Sequence, residues 1–147
     1  MKKILVLHGI NLSMFGKRDP VHYGTITLNE INERLEKLAK ELGCSVETFQ
    51  SNHEGELVER IHRAHDEGID AVVINAGAWT FYSYGLRDAL AILKVPIIDV
   101  HMSNIHGRKG DFESPNLIAP IAKGQICGFN VNSYLLGLRA ALESIEG

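Results

Sequence analysis

Five short apolar runs alternate with longer amphipathic segments along the chain, and this alternation limits the fold more than any other feature. Unbroken runs of Val, Ile and Leu are typical of parallel strands that are covered on both faces. The pattern therefore predicts one α/β domain over residues 1–147, with a doubly wound five-stranded parallel sheet of flavodoxin-like order in a three-layer α/β/α arrangement. The predicted strands are Lys3–Leu7, Val46–Gln50, Ala71–Asn75, Pro96–Val100 and Gln125–Phe129.

The predicted helices are marked by their ends. Thr27, with Glu30 three residues later, forms a capping box, and Gly43 provides the stop for the helix that follows it. The other helices are predicted at about Glu54–Glu67, around Ser83–Leu93 and from near Asn132 onwards.

Composition and charge exclude several classes of function. The chain is 45% hydrophobic and 22% charged, which is typical of a globular protein. Its net charge of −3 leaves no basic stripe for nucleic acid, and no apolar run approaches the ~20 residues of a membrane span. Cys44 and Cys127 are predicted to be buried, reduced thiols, which favours the cytoplasm.

Two connections, residues 8–26 and 101–123, are too long to be simple turns. Both follow strands of the predicted sheet, and ligands of open α/β sheets bind beyond the carboxyl ends of the strands. The polar side chains at four strand ends suit a small ligand with several hydroxyl groups. They include His8, Asn11, residues 51–54, Asn75, His101, Ser103 and Asn104.

Other kinds of site are disfavoured. The first connection has neither the glycine pattern of dinucleotide-binding loops nor that of triphosphate-binding loops, and Asn75 ends the third strand where a phospho-acceptor domain needs aspartate. A metal site is not predicted. His62 and His65 lie three residues apart, but they fall among charged residues that we interpret as a solvated helix face, namely Glu59, Arg60, Arg63 and Asp66.

Arg18 and Tyr23 lie five residues apart in the first connection. One interpretation is an ordinary surface loop with an exposed tyrosine. The other is a lid in which the arginine stabilises a tyrosinate base that removes a proton next to a carbonyl group.

Several motifs together resemble the type II 3-dehydroquinate dehydratase family over essentially the whole chain. The resemblance implies a cofactor-free, usually dodecameric enzyme built from trimers, which eliminates water from 3-dehydroquinate through an enolate in the shikimate route of aromatic amino acid biosynthesis. The stretches that carry it are residues 5–12 (LVLHGINL), 18–24 (RDPVHYG), 50–57 (QSNHEGEL), 74–78 (INAGA), 86–90 (LRDAL), 100–104 (VHMSN) and 122–124 (AKG).

The resemblance implies the catalytic roles. Tyr23 matches the general base, Arg18 the lid arginine that activates it, and His101 the general acid. Asn11 matches the residue that places a water against the enolate oxygen. Asp99 stands where the family usually has glutamate and would orient His101.

The resemblance also implies the substrate contacts. Asn75 matches a residue that contacts a substrate hydroxyl, while Met102 and Ser103 match the turn that holds the substrate carboxylate. Asp88 matches a residue that reaches the site of a neighbouring subunit. A homo-oligomer is also favoured by the aromatic residues at 79, 81, 82 and 84, which are too many for one helix face to bury.

Two positions in the predicted substrate pocket differ from the family. Phe81 stands where a substrate-binding histidine is usual, and Glu113 where an arginine is usual, although Lys109 could restore the charge balance. The sequence therefore leaves two functions open. The protein either dehydrates 3-dehydroquinate, or it is a diverged member that acts on another cyclic hydroxy-ketone or binds a ligand without turnover.

Overall fold

A computed structural model describes residues 1–108 and 114–146. All five strands are parallel and follow the order β2-β1-β3-β4-β5, which confirms the predicted fold class. The strands are β1 (Lys3–His8), β2 (Ser45–Gln50), β3 (Ala71–Asn75), β4 (Ile97–His101) and β5 (Gly124–Cys127).

The α-helices are α1 (Pro20–Tyr23), α2 (Leu28–Leu42), α3 (Glu54–Glu67), α4 (Tyr84–Ile92) and α5 (Val131–Glu146). Short 3-10 turns cover Leu12–Met14, Gly77–Phe81, Ile105–Gly107 and Ala119–Ile121. In the ranges that the structure describes, no helix has both the length and the apolar character to cross a membrane.

Two hydrophobic cores lie on opposite faces of the sheet, because successive side chains of a strand point in opposite directions. Ile4 and Val6 of β1 pack with α2 and α5 in one core. Leu5 and Leu7 pack with α3 and α4 in the other. The sheet therefore lies between two helical layers, and its strand ends are left to form a site.

The helix termini agree closely with the sequence pattern. Thr27 and Glu30 form both hydrogen bonds of the capping box, and Gly43 ends α2 in the left-handed conformation. β5, in contrast, ends at Cys127 rather than at Phe129. Gly128 (φ +99°) turns the chain away from the sheet, so that Phe129 lies exposed before α5 begins.

Arg60 corrects the prediction of a wholly solvated face on α3. Its side chain is buried, and its guanidinium donates to Glu47 of β2 at 3.0 Å and to Glu67 at 3.3 Å. The carboxylates of Glu47, on the edge strand β2, and of Glu67, at the end of α3, compensate the charge, which a helical periodicity cannot reveal. His62 and His65 are exposed, as predicted. Across 1–108 and 114–146, no three His, Cys, Asp or Glu side chains are grouped to hold a metal ion.

His8, the last residue of β1, is fully buried between the sheet and the helices α2 and α5. Its Nδ1 lies 2.9 Å from the hydroxyl of Tyr134, and its Nε2 lies 2.8 Å from Oδ1 of Asn32. Desolvation by burial lowers the pKa of His8 from 6.5 to about 4. The folded protein therefore holds this imidazole in its neutral form.

This burial predicts a loss of stability in acid. The pKa of His8 is lower in the folded state than in the unfolded state. Above pH 6.5 the ring is neutral in both states, so it does not change the free energy of unfolding. As the pH falls from 6.5 towards 4, protonation of the unfolded state favours unfolding. The full effect is about 3 kcal/mol in the free energy of unfolding. Urea unfolding of the wild type and of His8→Gln at pH 7 and pH 4.5 measures it. Equal pH dependence in the two proteins would contradict the prediction.

Candidate active site

A cleft lies beyond the carboxyl ends of β1, β3 and β4 and has a cavity volume of about 140 Å³. Its size suits a small molecule better than a nucleotide or a peptide. Residues 51–54, which follow the edge strand β2, are not among its lining, and neither is His8. The lining residues are Ile10, Asn11, Leu12, Arg18, Tyr23, Asn75, Gly77, Ala78, Phe81, His101, Met102, Ser103, Ile105 and Arg108.

Two glycines allow the loops after β1 and β3 to pack closely against each other. A Cβ atom on Gly9 would lie 2.2 Å from the carbonyl oxygen of Ala76, and one on Gly77 (φ +62°) would lie 2.8 Å from that of Ile10. No residue with a side chain fits either position without moving backbone. This close approach holds the loop that carries Asn11 against the segment that follows Asn75.

Tyr23 is held by two arginines. Nη2 of Arg18 donates to its hydroxyl at 3.0 Å, and Nη1 of Arg108 donates to the same oxygen at 2.9 Å. Arg18 also stacks on the ring, with Cζ 3.9 Å from the centroid. Two positive charges beside one phenol oxygen stabilise negative charge on it, so the geometry favours the lid interpretation of Arg18 and Tyr23 over an ordinary surface loop.

Arg108 is a site residue that the sequence offers only as one of two cations, with Lys109, around which the substrate pocket could be rebuilt. Besides contacting Tyr23, its Nη1 donates to Oγ of Ser103 at 3.1 Å, so it joins the first connection to the turn after β4. The sequence feature that could identify Arg108 as a site residue is weak, because it is only a cation within a long connection that follows a strand. Its distance from Tyr23 along the chain, 85 residues, hides the pairing.

His101, at the end of β4, is backed by Asp99, which is fully buried. Its Nε2 lies 3.0 and 3.2 Å from the two carboxylate oxygens of Asp99. The amides of Asn116 and Gln125 each donate to the same carboxylate at 2.9 Å. Since Nε2–H is committed to Asp99, Nδ1 is the ring nitrogen that can exchange a proton with a ligand in the cleft.

Asn75 is almost completely buried at the bottom of the cleft. Its Oδ1 accepts from the backbone N–H of Gly77 at 3.2 Å, and its Nδ2 donates to the hydroxyl of Tyr134 at 3.1 Å. One N–H of the amide is then left for a ligand.

The remaining predicted residues divide into three groups. Met102, Ser103 and the half-buried Phe81 line the cleft. Asp88 is exposed on α4 and does not line the cleft. Glu113 and Lys109 lie outside the described residues.

Comparisons with known proteins give matches over almost the whole chain. A family model described as dehydroquinase class II matches residues 2–142. The chain is 67% identical to a 3-dehydroquinate dehydratase of Syntrophotalea carbinolica, over 99% of this chain and 98% of that protein. It is 66% identical to another of Pelobacter propionicus, over 99% and 97%.

Solved structures are similar as well. The type II dehydroquinase of Butyrivibrio crossotus superposes with a TM-score of 0.90 at 35% identity, covering 99% of this chain and 98% of that one. A 3-dehydroquinate dehydratase-like protein of Bifidobacterium longum gives a TM-score of 0.73 at 30% identity, with complete coverage of both chains.

Proposed function

The chain belongs to the type II 3-dehydroquinate dehydratase family, and from this premise we propose that it converts 3-dehydroquinate to 3-dehydroshikimate with Tyr23 as general base and His101 as general acid. The observation that carries the assignment of roles is the pairing of two arginines on the phenol oxygen in a cleft that also holds a carboxylate-backed histidine. The relatives at 66% and 67% identity favour this substrate over another cyclic hydroxy-ketone.

The first step removes the substrate proton next to the ketone. The oxygen of Tyr23 takes that proton, and the electron pair of the C–H bond moves onto the ketone oxygen to give an enolate. Arg18 and Arg108 favour the step because they stabilise the anionic form of the base. Asn11 lines the same cleft and holds a water against the enolate oxygen, as its position in the family motif implies.

The second step expels the hydroxyl group. The enolate collapses to the ketone, a carbon–carbon double bond forms, and the C–O bond breaks as His101 gives its proton to the departing oxygen. Asp99 balances the positive charge that the ring carries when both nitrogens are protonated. Atoms and charge balance with acid and base groups of this chain alone, which supports a cofactor-free reaction.

The substrate carboxylate is assigned to the turn formed by Met102 and Ser103. Backbone N–H groups and the Ser103 hydroxyl can donate to it, and Arg108 supplies a positive charge next to that hydroxyl. Asn75 donates to a substrate hydroxyl. Phe81 offers an apolar surface to the cleft where the family usually has histidine.

A cytoplasmic location is supported by the two free thiols, of which Cys44 is buried and Cys127 half-buried. Burial raises the pKa of both, so they remain protonated and resist oxidation.

A dodecamer of four trimers is the proposed assembly. Tyr82, Tyr84 and Ile92 are exposed around α4, and aromatic residues are enriched at the centres of interfaces. Asp88 is exposed on this same helix, where it could reach a neighbouring site.

Asp88→Ala should lower kcat/KM about 10-fold, because each site would lose a charged hydrogen bond contributed by a neighbouring subunit. Steady-state kinetics measure the effect. Asp66→Ala, which removes another exposed carboxylate, from α3, should change little and serves as the control. Light scattering during size exclusion gives the assembly, and a fully active wild-type monomer would contradict the shared site.

The function is tested by adding 3-dehydroquinate to the purified protein and following the ultraviolet absorbance of the conjugated enone product. Rapid appearance of the enone supports the proposal. Thermal stabilisation by the substrate without any enone would instead indicate a binding protein without turnover. If 3-dehydroquinate gives neither the enone nor the stabilisation, the result would indicate that the substrate is another cyclic hydroxy-ketone.

A further inference from the structure

Asn75 is held from behind by a chain of buried hydrogen bonds that crosses the molecule. Its Nδ2 lies 3.1 Å from the hydroxyl of Tyr134, which lies 2.9 Å from Nδ1 of His8, whose Nε2 lies 2.8 Å from Oδ1 of Asn32. Tyr134 and His8 are both fully buried. The chain links β3, α5, β1 and α2 through residues that are as much as 126 positions apart.

The donors and acceptors in this chain can be arranged in only one direction. Oδ1 of Asn32 is an acceptor, so Nε2 of His8 carries the hydrogen and Nδ1 of the neutral ring accepts. The Tyr134 hydroxyl must then donate to Nδ1, and its oxygen accepts from Nδ2 of Asn75. The N–H of Gly77 donates to Oδ1 of Asn75 and excludes the flipped amide.

This direction holds at neutral pH. Burial lowers the pKa of His8 to about 4, so the ring stays neutral, and burial raises the pKa of Tyr134, so the hydroxyl keeps its proton. The amide of Asn75 is consequently fixed with one N–H given to Tyr134 and the other free for a group in the cleft.

We propose that Tyr134 and His8 are positioning residues that act through Asn75, fixing its amide so that the second N–H meets a hydrogen-bond acceptor of the substrate. The proposal rests on the proposed function, in which that acceptor is a hydroxyl oxygen of 3-dehydroquinate. A fixed donor favours a substrate with oxygen at this position, because an apolar group there would leave a buried N–H unsatisfied.

A double-mutant cycle on Tyr134 and Asn75 tests the coupling. Tyr134→Phe removes only the hydroxyl, and we expect KM for 3-dehydroquinate to rise about 10-fold with kcat changed less than about 3-fold. In the Asn75→Ala background the same change should alter KM less than about 2-fold, since the group through which it acts is gone. Equal effects in both backgrounds, or an unchanged KM in Tyr134→Phe, would overturn the proposal.

Matched variants separate positioning from general loss of stability. Ser133→Ala removes a buried hydrogen bond, from the N–H of Phe129, on the same helix without touching Asn75. It should lower Tm and leave KM unchanged.

His8→Gln keeps an acceptor and a donor, whereas His8→Leu removes both. A near wild-type KM for His8→Gln together with a raised KM for His8→Leu supports the proposal, and equal KM values for the two variants overturn it. This test holds even if Tyr134→Phe does not fold.

One readout does not depend on turnover. Nitrogen-15 NMR of His8 between pH 6 and pH 8 should show the neutral ring with the proton on Nε2, and a proton on Nδ1 would overturn the assigned direction.

A wild type that fails to dehydrate 3-dehydroquinate contradicts the proposed function. An active wild type whose Tyr134→Phe variant keeps its KM contradicts only the positioning role.

Discussion

Replacing Tyr23 by phenylalanine should lower kcat for 3-dehydroquinate by about 10²–10⁴-fold and leave substrate binding within a few-fold of wild type. Only the phenol oxygen is lost, and in the proposed mechanism that oxygen takes the proton. The ring keeps its place, because Arg18 stacks on its face at 3.9 Å and Phe15 lies 6.0 Å from it, centroid to centroid.

The measurement combines the enone assay with calorimetric titration of the product. Tyr84→Phe is the matched control, since it removes the same atom from an exposed tyrosine on α4 that does not line the cleft, and it keeps the aromatic ring that the proposed interface would bury. It should keep the wild-type rate. A Tyr23→Phe enzyme within about 5-fold of wild type would show that another group is the base.

The two arginines explain why a tyrosine can serve in this way. Arg18 approaches from the same loop, five residues away, while Arg108 comes from the connection after β4. Arg108 also donates to Ser103, where the substrate carboxylate is assigned. One guanidinium therefore contacts both the proposed base and the turn to which the substrate carboxylate is assigned, so in the proposed mechanism Arg108 connects the two.

The framework of the fold could be predicted from the sequence because its signals are local. The capping box at Thr27 and the glycine stop after α2 depend on neighbours within a few residues, and α3 begins and ends where the pattern indicates. The apolar runs give the strands for the same reason. The end of β5 is harder to predict from the sequence, since it depends on a backbone turn at Gly128.

The site could be predicted only where it coincides with strand ends or with family motifs. Asn75 and His101 end β3 and β4, and the motif around Arg18 and Tyr23 gave the first connection a role. The contacts of Arg108 and the ion pairs of the buried Arg60 depend on which segments meet in three dimensions.

The buried chain behind Asn75 shows the same limit. His8 appeared in the sequence to be a ligand-facing residue at a strand end, yet it is fully buried against Tyr134 on α5. Periodicity places a residue on a strand or a helix, but it does not reveal which polar groups will satisfy one another inside.

His101→Asn should lower the rate of enone formation by about 10²–10⁴-fold, because an amide can replace the hydrogen bond to Asp99 but cannot release a proton. The loss should be confined to the second step. Tyr23 would still form the enolate, so exchange of the substrate proton next to the ketone with deuterated solvent should continue in His101→Asn, and it should stop in Tyr23→Phe.

The exchange is followed by proton NMR of the substrate in deuterated water, beside the enone assay on the same samples. His62→Asn provides the control, since it makes the same substitution at an exposed histidine on α3, away from the cleft. Exchange and elimination lost together in His101→Asn would contradict a role limited to the departing hydroxyl, since one group would then serve both steps. If exchange continues while elimination stops, the base lies in the first connection and the acid lies at the end of β4. The parallel order of the sheet brings these two groups together.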